Sequence, residues 1–378
     1  MPSSPTAPAT RTPDTPTPNA RLADHLARVP DPRKPRGTRY PLTGLLLLAI
    51  SATLAGCRSF TAIGDWAHAL TSHSLAGFGL RAAPGESNLR KLFSRLDAAA
   101  LDAQLCLYAW TRTTTIDGRR IIAVDGKTLR GSRSATQRAR HLVAALDHGS
   151  GTVVAQQAVE AKSNEIPALP DLIAALGERV KGAVITADAL HTQTATATAI
   201  LAAGADYVFT VKANQPGLVK KLKSLPWSRV PAGHVEDETS HGRRVRRSLK
   251  VVQAPESLGF AGAVQVAQLR RVATRNQRKT TEVVYLITSA GLPDAPPARL
   301  AAWVRGHWGV ENRLHWVRDV TFDEDRHQVR TGSAPQVMAA LRSVAIGIHR
   351  MRGEVNIAAA VRRAAWDPLA TCDLVLAL

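Results

Sequence analysis

Cysteine is scarce: Cys57, Cys106 and Cys372 are the only three in 378 residues, with no paired spacing among them. That excludes a disulfide framework and a Cys-ligated zinc site, and suits reduced, buried thiols in a cytoplasmic protein. Long apolar runs are lacking too. The uncharged stretch PLTGLLLLAISATLAG, residues 41–56, is shorter than the roughly 20 residues of a membrane span and includes Gly, Ser and Thr. It reads as a buried core helix, and no membrane partner is expected. No basic, apolar leader opens the chain. No HExxH, P-loop or GxGxxG occurs, which removes the metalloprotease, nucleoside triphosphatase and dinucleotide-binding readings. Acids are the remaining deficit: 30 Asp and Glu against 49 Lys and Arg leave a formal charge of +19. A field of that sign attracts polyanions, and nucleic acid is the commonest large one.

The order of patterns divides the chain. Residues 1–20 are rich in Pro, Ser and Thr and have too little apolar surface to offset the entropy of ordering, so a disordered tail is expected. Residues 21–115 repeat apolar positions at helical spacing, with breakers at DPRKPRGTRYP and GLRAAPGES and with Ser87 as an expected N-cap. This helical module carries a cationic loop at Arg33, Lys34, Arg36 and Arg39. From Arg119 the period becomes that of strands. RRIIAVDGKTL reads as a strand ending in an acid, and HLVAALDHGSGTVVAQQAVE as two strands joined at a tight Gly-Ser-Gly turn. Helix, strand, helix and strand follow. The order is that of an α/β, nuclease-like mixed sheet with helices on its faces, placed at 116–225 and resumed at 281–350. Between these parts, residues 226–280 read as a basic, β-rich insertion with GRRVRR at 242–247 (Arg243, Arg244, Arg246, Arg247). Residues 351–378 read as a C-terminal helical tail.

Three acids stand out by context. Asp125 is expected at the C-terminal end of its strand, and Asp188 ends the otherwise apolar run GAVITAD, where an acid is costly unless it binds something positive. Glu311 lies on a helix; at about 100° per residue, His307, His315 and Arg318 fall within about 40° of it. Sequence-distant carboxylates on rigid elements suit Mg²⁺ or Mn²⁺, hard cations that take oxygen ligands. Two such ions about 3.5–4 Å apart clamp the attacking and leaving oxygens of a phosphodiester. Salt-bridge partnership with the many arginines is the competing reading for each acid.

The surrounding words decide between them. AVDGKTLRGS around Asp125, ITADALHTQ around Asp188, DYVFTVKANQP after it, and VRGHWGVENRLHWVRDVTFDEDRHQVR around Glu311 closely resemble the insertion-sequence transposases of the H-repeat-associated (ISAs) group. DPRKPRGTRYPLTGLLLLAISATLAGCRSFTAIGDWA resembles the opening of that family, and the likeness runs from about Arg21 to Arg350. The resemblance implies an RNase H-like fold and an Asp125, Asp188, Glu311 triad holding two Mg²⁺ or Mn²⁺ ions. It also implies cleavage at transposon ends and strand transfer into target DNA. Related transposases flank the final Glu with Tyr, Arg and Lys, where this chain has Val304, His307 and Arg318.

Around the triad, Lys127, His191, Lys212, Asn214, His307, His315, Arg318 and the four arginines of 243–247 are the expected DNA contacts. For His191 a surface helix cap is the alternative, and for Lys212 and Asn214 a polar turn before Pro216. Trp308 and Trp316 offer stacking faces, though packing of their helix is expected to bury at least one. The expected partners are double-stranded DNA, as terminal repeats and target, and a second copy on that DNA, in the cytoplasm at the nucleoid. Two other functions share the charge and fold. One is an inactive or domesticated transposase that only binds DNA; the other is a nuclease acting on RNA–DNA hybrids.

Overall fold

The computed structural model describes residues 20–36, 38–159, 165–240 and 242–378. The Pro/Ser/Thr-rich opening lies outside these except for Ala20. The described residues up to 110 form the helices α1 (Leu22–Leu26), α2 (Leu42–Leu54), α3 (Phe60–His68), α4 (Ser72–Gly77), α5 (Glu86–Phe93) and α6 (Ala98–Trp110). The uncharged run becomes α2, and every residue of it except Thr43 is buried. A helix apolar on all sides has to be surrounded. Gly44 lets it approach the α4–α5 connection, since a Cβ there would lie 2.0 Å from the Phe78 carbonyl oxygen. Side-chain caps start several of the helices: Ser59 accepts from the Ala62 amide and Asp97 from that of Ala100. Ser87 is not one of them. The backbone turns helical one residue before it, Gly85 is the N-cap of α5, and Ser87 lies inside the first turn.

Strands and helices then alternate: β1 (Ile121–Leu129), β2 (Arg140–Asp147), β3 (Val153–Val159), α7 (Glu165–Leu176), β4 (Val184–Ala187), α8 (Thr194–Ala202), β5 (Asp206–Val211) and α9 (Pro216–Lys223). Two long hairpins follow, β6 (His234–Ser240) with β7 (Arg243–Gln253), and β8 (Gln265–Arg275) with β9 (Arg278–Thr288). Among the described residues all nine strands form one mixed sheet in the order β3-β2-β1-β4-β5-β9-β8-β7-β6. β4 and β5 run parallel to β1, and the remaining pairings are antiparallel. The basic strands after Pro216 are thus hydrogen-bonded into the same sheet through β9 instead of forming a layer of their own.

The chain closes with α10 (Pro297–His307), a π turn over Glu311–His315, α11 (Trp316–Val320), α12 (Ala334–Met351), α13 (Ile357–Trp366) and α14 (Pro368–Ala377). One face of the sheet buries Ile122, Val124, Ile185 and Phe209 against α7 and α8. On the other face Ile121, Val184 and Val208 pack with Leu300 and Trp303 of α10, while Ala123 and Leu146 join the core of α2, α6 and α12. The expected C-terminal tail is a packed element. Ile357, Cys372 and Val375 lie in the helical core, and the Leu22 amide donates to the Leu378 carbonyl at 2.9 Å. Cys106 and Cys372 are buried and Cys57 half-buried, all as free thiols. Among the described residues no helix is long and apolar enough to cross a membrane.

Candidate active site

Register sets two of the acids side by side. The parallel pairing of β1 with β4 ends at Val124 opposite Ala187, so Asp125 and Asp188 each stand one step beyond the last pair on neighbouring strands. Such strands lie about 4.8 Å apart, and side chains in register share a face. It is the face of Ile121 and Val184, against which α10 packs. Asp125 is not at its strand's end, however. β1 continues against β2 as far as Leu129 opposite Arg140, and only its pairing with β4 stops at Val124. The acid sits where one neighbour departs and a crevice opens. Asp188 is exposed, and one of its oxygens accepts the Leu190 amide at 2.9 Å.

The helical segment after α10 supplies the third acid. Glu311 opens the π turn, and its carboxylate lies 3.4 Å from Nδ1 of His315, which stands 3.6 Å from Oδ2 of Asp125. Donor atoms of Asp125, Glu311 and His315 all fall within 4.8 Å of one another. Two oxygens and a nitrogen at that spacing fit a divalent cation. Burial raises Asp125 to about 6, and the charges of Asp188, Glu165 and Glu311 push the same way against the hydrogen bond from the Gly126 amide. A site whose acids raise one another's proton affinity is one in which a cation would relieve the repulsion.

Several neighbours carried no clear signal in the sequence. Glu165, the first residue of α7, lies over Gly126, where any Cβ would strike its carboxylate. It lies 2.6 Å from Nε2 of His141 and 3.6 Å from Nε2 of His191, and these two neighbouring rings lower its pKa to about 2. Thr186 is bridged by two imidazoles, Nδ1 of His307 at 3.1 Å and Nε2 of His148 at 3.2 Å. Burial first, then nearby positive charge, lowers His148 to about 3; burial likewise lowers His307 to about 4, so both rings are neutral at pH 7. His315 falls to about 3 through burial, with Arg318 and Lys127 adding to it.

The remaining expected contacts divide. Arg318 does not face the crevice. It is fully buried, with Nη2 2.8 Å from Glu324, and Arg342 approaches the same carboxylate at 2.9 Å. The even count of 100° per residue misplaces it because the intervening π turn shifts the helical phase. His191 is fully buried against Glu165, so it is not a surface cap. Lys127 is held 2.7 Å from Asp319, and Asn214 donates to the Ala189 carbonyl at 2.6 Å. Lys212 is exposed just past the end of β5. Both Trp308 and Trp316 are exposed, at 64% and 53%, so the helix buries neither.

The arginines of β7 meet acids on β6. Arg244 and Arg246 share Asp237 at 3.7 and 3.3 Å, while Arg247 and Arg305 of α10 share Glu238 at 2.8 and 3.2 Å. Arg243 lines an open hollow with Arg275 and Arg278 at the hairpin tips. Two other basic hollows are evident. Arg130, Arg133, Arg326 and Arg330 line one beside the Lys127 segment, and Arg33, Lys34, Arg36, Arg39, Lys91 and Arg95 line one in the helical module.

Residues 116–348 match the sequence model of a family described as "Transposase DDE domain", and residues 23–111 that of its associated segment. The chain is 31% identical to "Putative protein YbfL" of Escherichia coli strain K12, across 87% of this chain and 90% of that protein. It is 30% identical to "H repeat-associated putative transposase YhhI" of the same strain, with the same shares covered. A piggyBac transposase, solved by cryo-EM in a synaptic complex with hairpin DNA, aligns with a TM-score of 0.44 and 13% identity over 94% of this chain and 79% of that one.

Proposed function

Because the chain belongs to the DDE transposase family, as a relative of its H-repeat-associated members, we propose that it cleaves DNA at transposon ends and joins the freed 3′ ends to target DNA, using Asp125, Asp188 and Glu311. The observation that carries this reading is the convergence of Asp125 with Glu311, 186 positions apart in the sequence, to within donor distance of a common centre, with Asp188 in register beside it. The run of strands β3-β2-β1-β4-β5, antiparallel across β1–β3 and parallel across β1, β4 and β5, supports an RNase H-like core.

Mg²⁺ or Mn²⁺ held by these carboxylates would supply charge neutralisation at the phosphodiester and ease deprotonation of an attacking hydroxyl. The protein's part is placement. β1 and β4 fix two acids on a rigid sheet, and the turn after α10 brings the third across from them. His148 and His307, both neutral, brace the floor of the crevice through Thr186 without adding charge to it. In this reading the exposed Lys212 and the three basic hollows take the DNA backbone, two copies act on paired ends, and the work is done on cytoplasmic DNA.

The test is strand cleavage of end-containing duplex with Mg²⁺ or Mn²⁺. Asp125→Asn, Asp188→Asn and Glu311→Gln are each expected to reduce cleavage to background and leave duplex binding nearly unchanged. Undiminished cleavage by any of them removes that residue from the triad. A wild-type chain that binds ends but never cuts supports the DNA-binding-only alternative.

A further inference from the structure

The crevice contains one donor that an all-carboxylate triad does not use. His315 Nδ1 lies 3.4 Å from Glu311 Oε2 and 3.6 Å from Asp125 Oδ2. Both separations exceed the usual N–H···O range of about 2.7–3.2 Å, so the ring is not simply hydrogen-bonded to either acid. The first matches, and the second slightly exceeds, the spacing of ligands arranged around a shared centre. Two donors each about 2.1 Å from one ion stand about 3.0–3.4 Å apart, for angles between octahedral and tetrahedral. The ring is also fixed in place. Only 5% of its side chain is exposed and it closes the π turn that Glu311 opens; among the described residues its Nε2 has no hydrogen-bond partner. Short π segments of this kind recur at functional sites.

We propose that His315 is a nitrogen ligand, alongside Asp125 and Glu311, for one divalent cation, and that the site therefore favours a transition metal such as Mn²⁺ over Mg²⁺. The inference rests on the triad reading above and adds ligand type and metal preference to it. Mg²⁺ favours oxygen donors and gives up its waters reluctantly; imidazole suits Zn²⁺, Fe²⁺ and Ni²⁺ best, and Mn²⁺, though it too takes oxygen, accepts nitrogen more readily than Mg²⁺ does. At one position, then, the chain trades magnesium affinity for tighter binding of a softer ion.

The test uses the full chain without DNA and follows Mn²⁺ by paramagnetic resonance. Pulsed spectra of the wild-type complex are expected to show nitrogen coupling from a directly bound imidazole. His315→Asn is expected to lose that coupling and weaken Mn²⁺ binding by about tenfold or more, the scale seen when groups supporting a metal site are removed. Mg²⁺ binding, read by competition, is expected to fall less. Bound Mn²⁺ without nitrogen coupling in the wild type overturns the proposal, and that result needs no variant to fold. Coupling that survives His315→Asn overturns it too, because it assigns the nitrogen to another ring such as His307. Glu311→Gln separates the two readings: it should weaken both ions if the triad is right. Mn²⁺ affinity that is absent in the wild type, or unchanged in Glu311→Gln, overturns the triad and this inference together.

Discussion

Glu324 is a buried carboxylate between two buried guanidinium groups, those of Arg318 and Arg342, and its pKa falls to about 2 because those charges outweigh the penalty of its burial. Removing its charge leaves two cations without compensation in the interior. Glu324→Gln is therefore expected to destabilise the fold by about 3–5 kcal/mol, measured by denaturant unfolding. The sign with pH follows from the lowered value. The pair's contribution is complete above the ordinary glutamate range and is lost as pH falls from about 4.5 towards about 2, so the gap between wild type and variant should close across that window. A gap that stays constant with pH would show that Glu324 is not ionised in the fold. The same residues show what the sequence could and could not reveal. Asp125, Asp188 and Glu311 were legible as acids breaking apolar or motif contexts. Arg318 was misread because an even helical count carries no trace of a π turn, and Glu165 was missed because an acid at a helix start looks like ordinary capping.

Between elements, the closest approach beside the crevice is at Gly131, in the turn after β1. A Cβ there would lie 1.9 Å from the His327 carbonyl oxygen. This contact holds the exit of β1 against the loop after α11, where Arg130 pairs with Asp325 at 3.6 Å. Gly131→Ala must push one backbone segment off the other and is expected to cost at least the 1–3 kcal/mol typical of overpacking, about the same in unfolding assays with or without DNA. Gly217→Ala, in the first turn of α9 with nothing within 4 Å of the added methyl, is expected to be neutral or stabilising by about 0.4–1 kcal/mol. Equal effects at the two positions would mean that the close approach is absent in solution. Elements were more legible than their joins. The uncharged run gave α2, and alternation located the strands. The continuation of β1 past Asp125 was not legible, because it depends on β2 still pairing where β4 has ended, a partnership the residues of β1 do not encode.

Over the whole molecule, the surplus of +19 predicts that affinity for duplex DNA falls steeply between about 50 and 200 mM salt. Among the described residues no acid pairs with Lys34, Arg36, Arg39 or Lys91 in their hollow, and the nearby Asp31 pairs with Arg33. Lys34→Glu combined with Arg39→Glu is expected to weaken binding and to flatten the slope of log affinity against log salt by about two, read by fluorescence anisotropy on end-containing duplex. An unchanged slope would place the DNA elsewhere.

The GRRVRR strand has a different consequence. Because β6 lends it Asp237 and Glu238, each shared by two arginines, the β6–β7 hairpin carries internal counter-ions while keeping a cationic excess. Under the proposed function, incoming phosphates would have to displace carboxylates the chain itself provides. Surface pairs of this sort are weak, so eviction is easy for a well-seated duplex and unrewarding for a loosely grazing one. Under the proposed function this hairpin would act as a threshold rather than as glue.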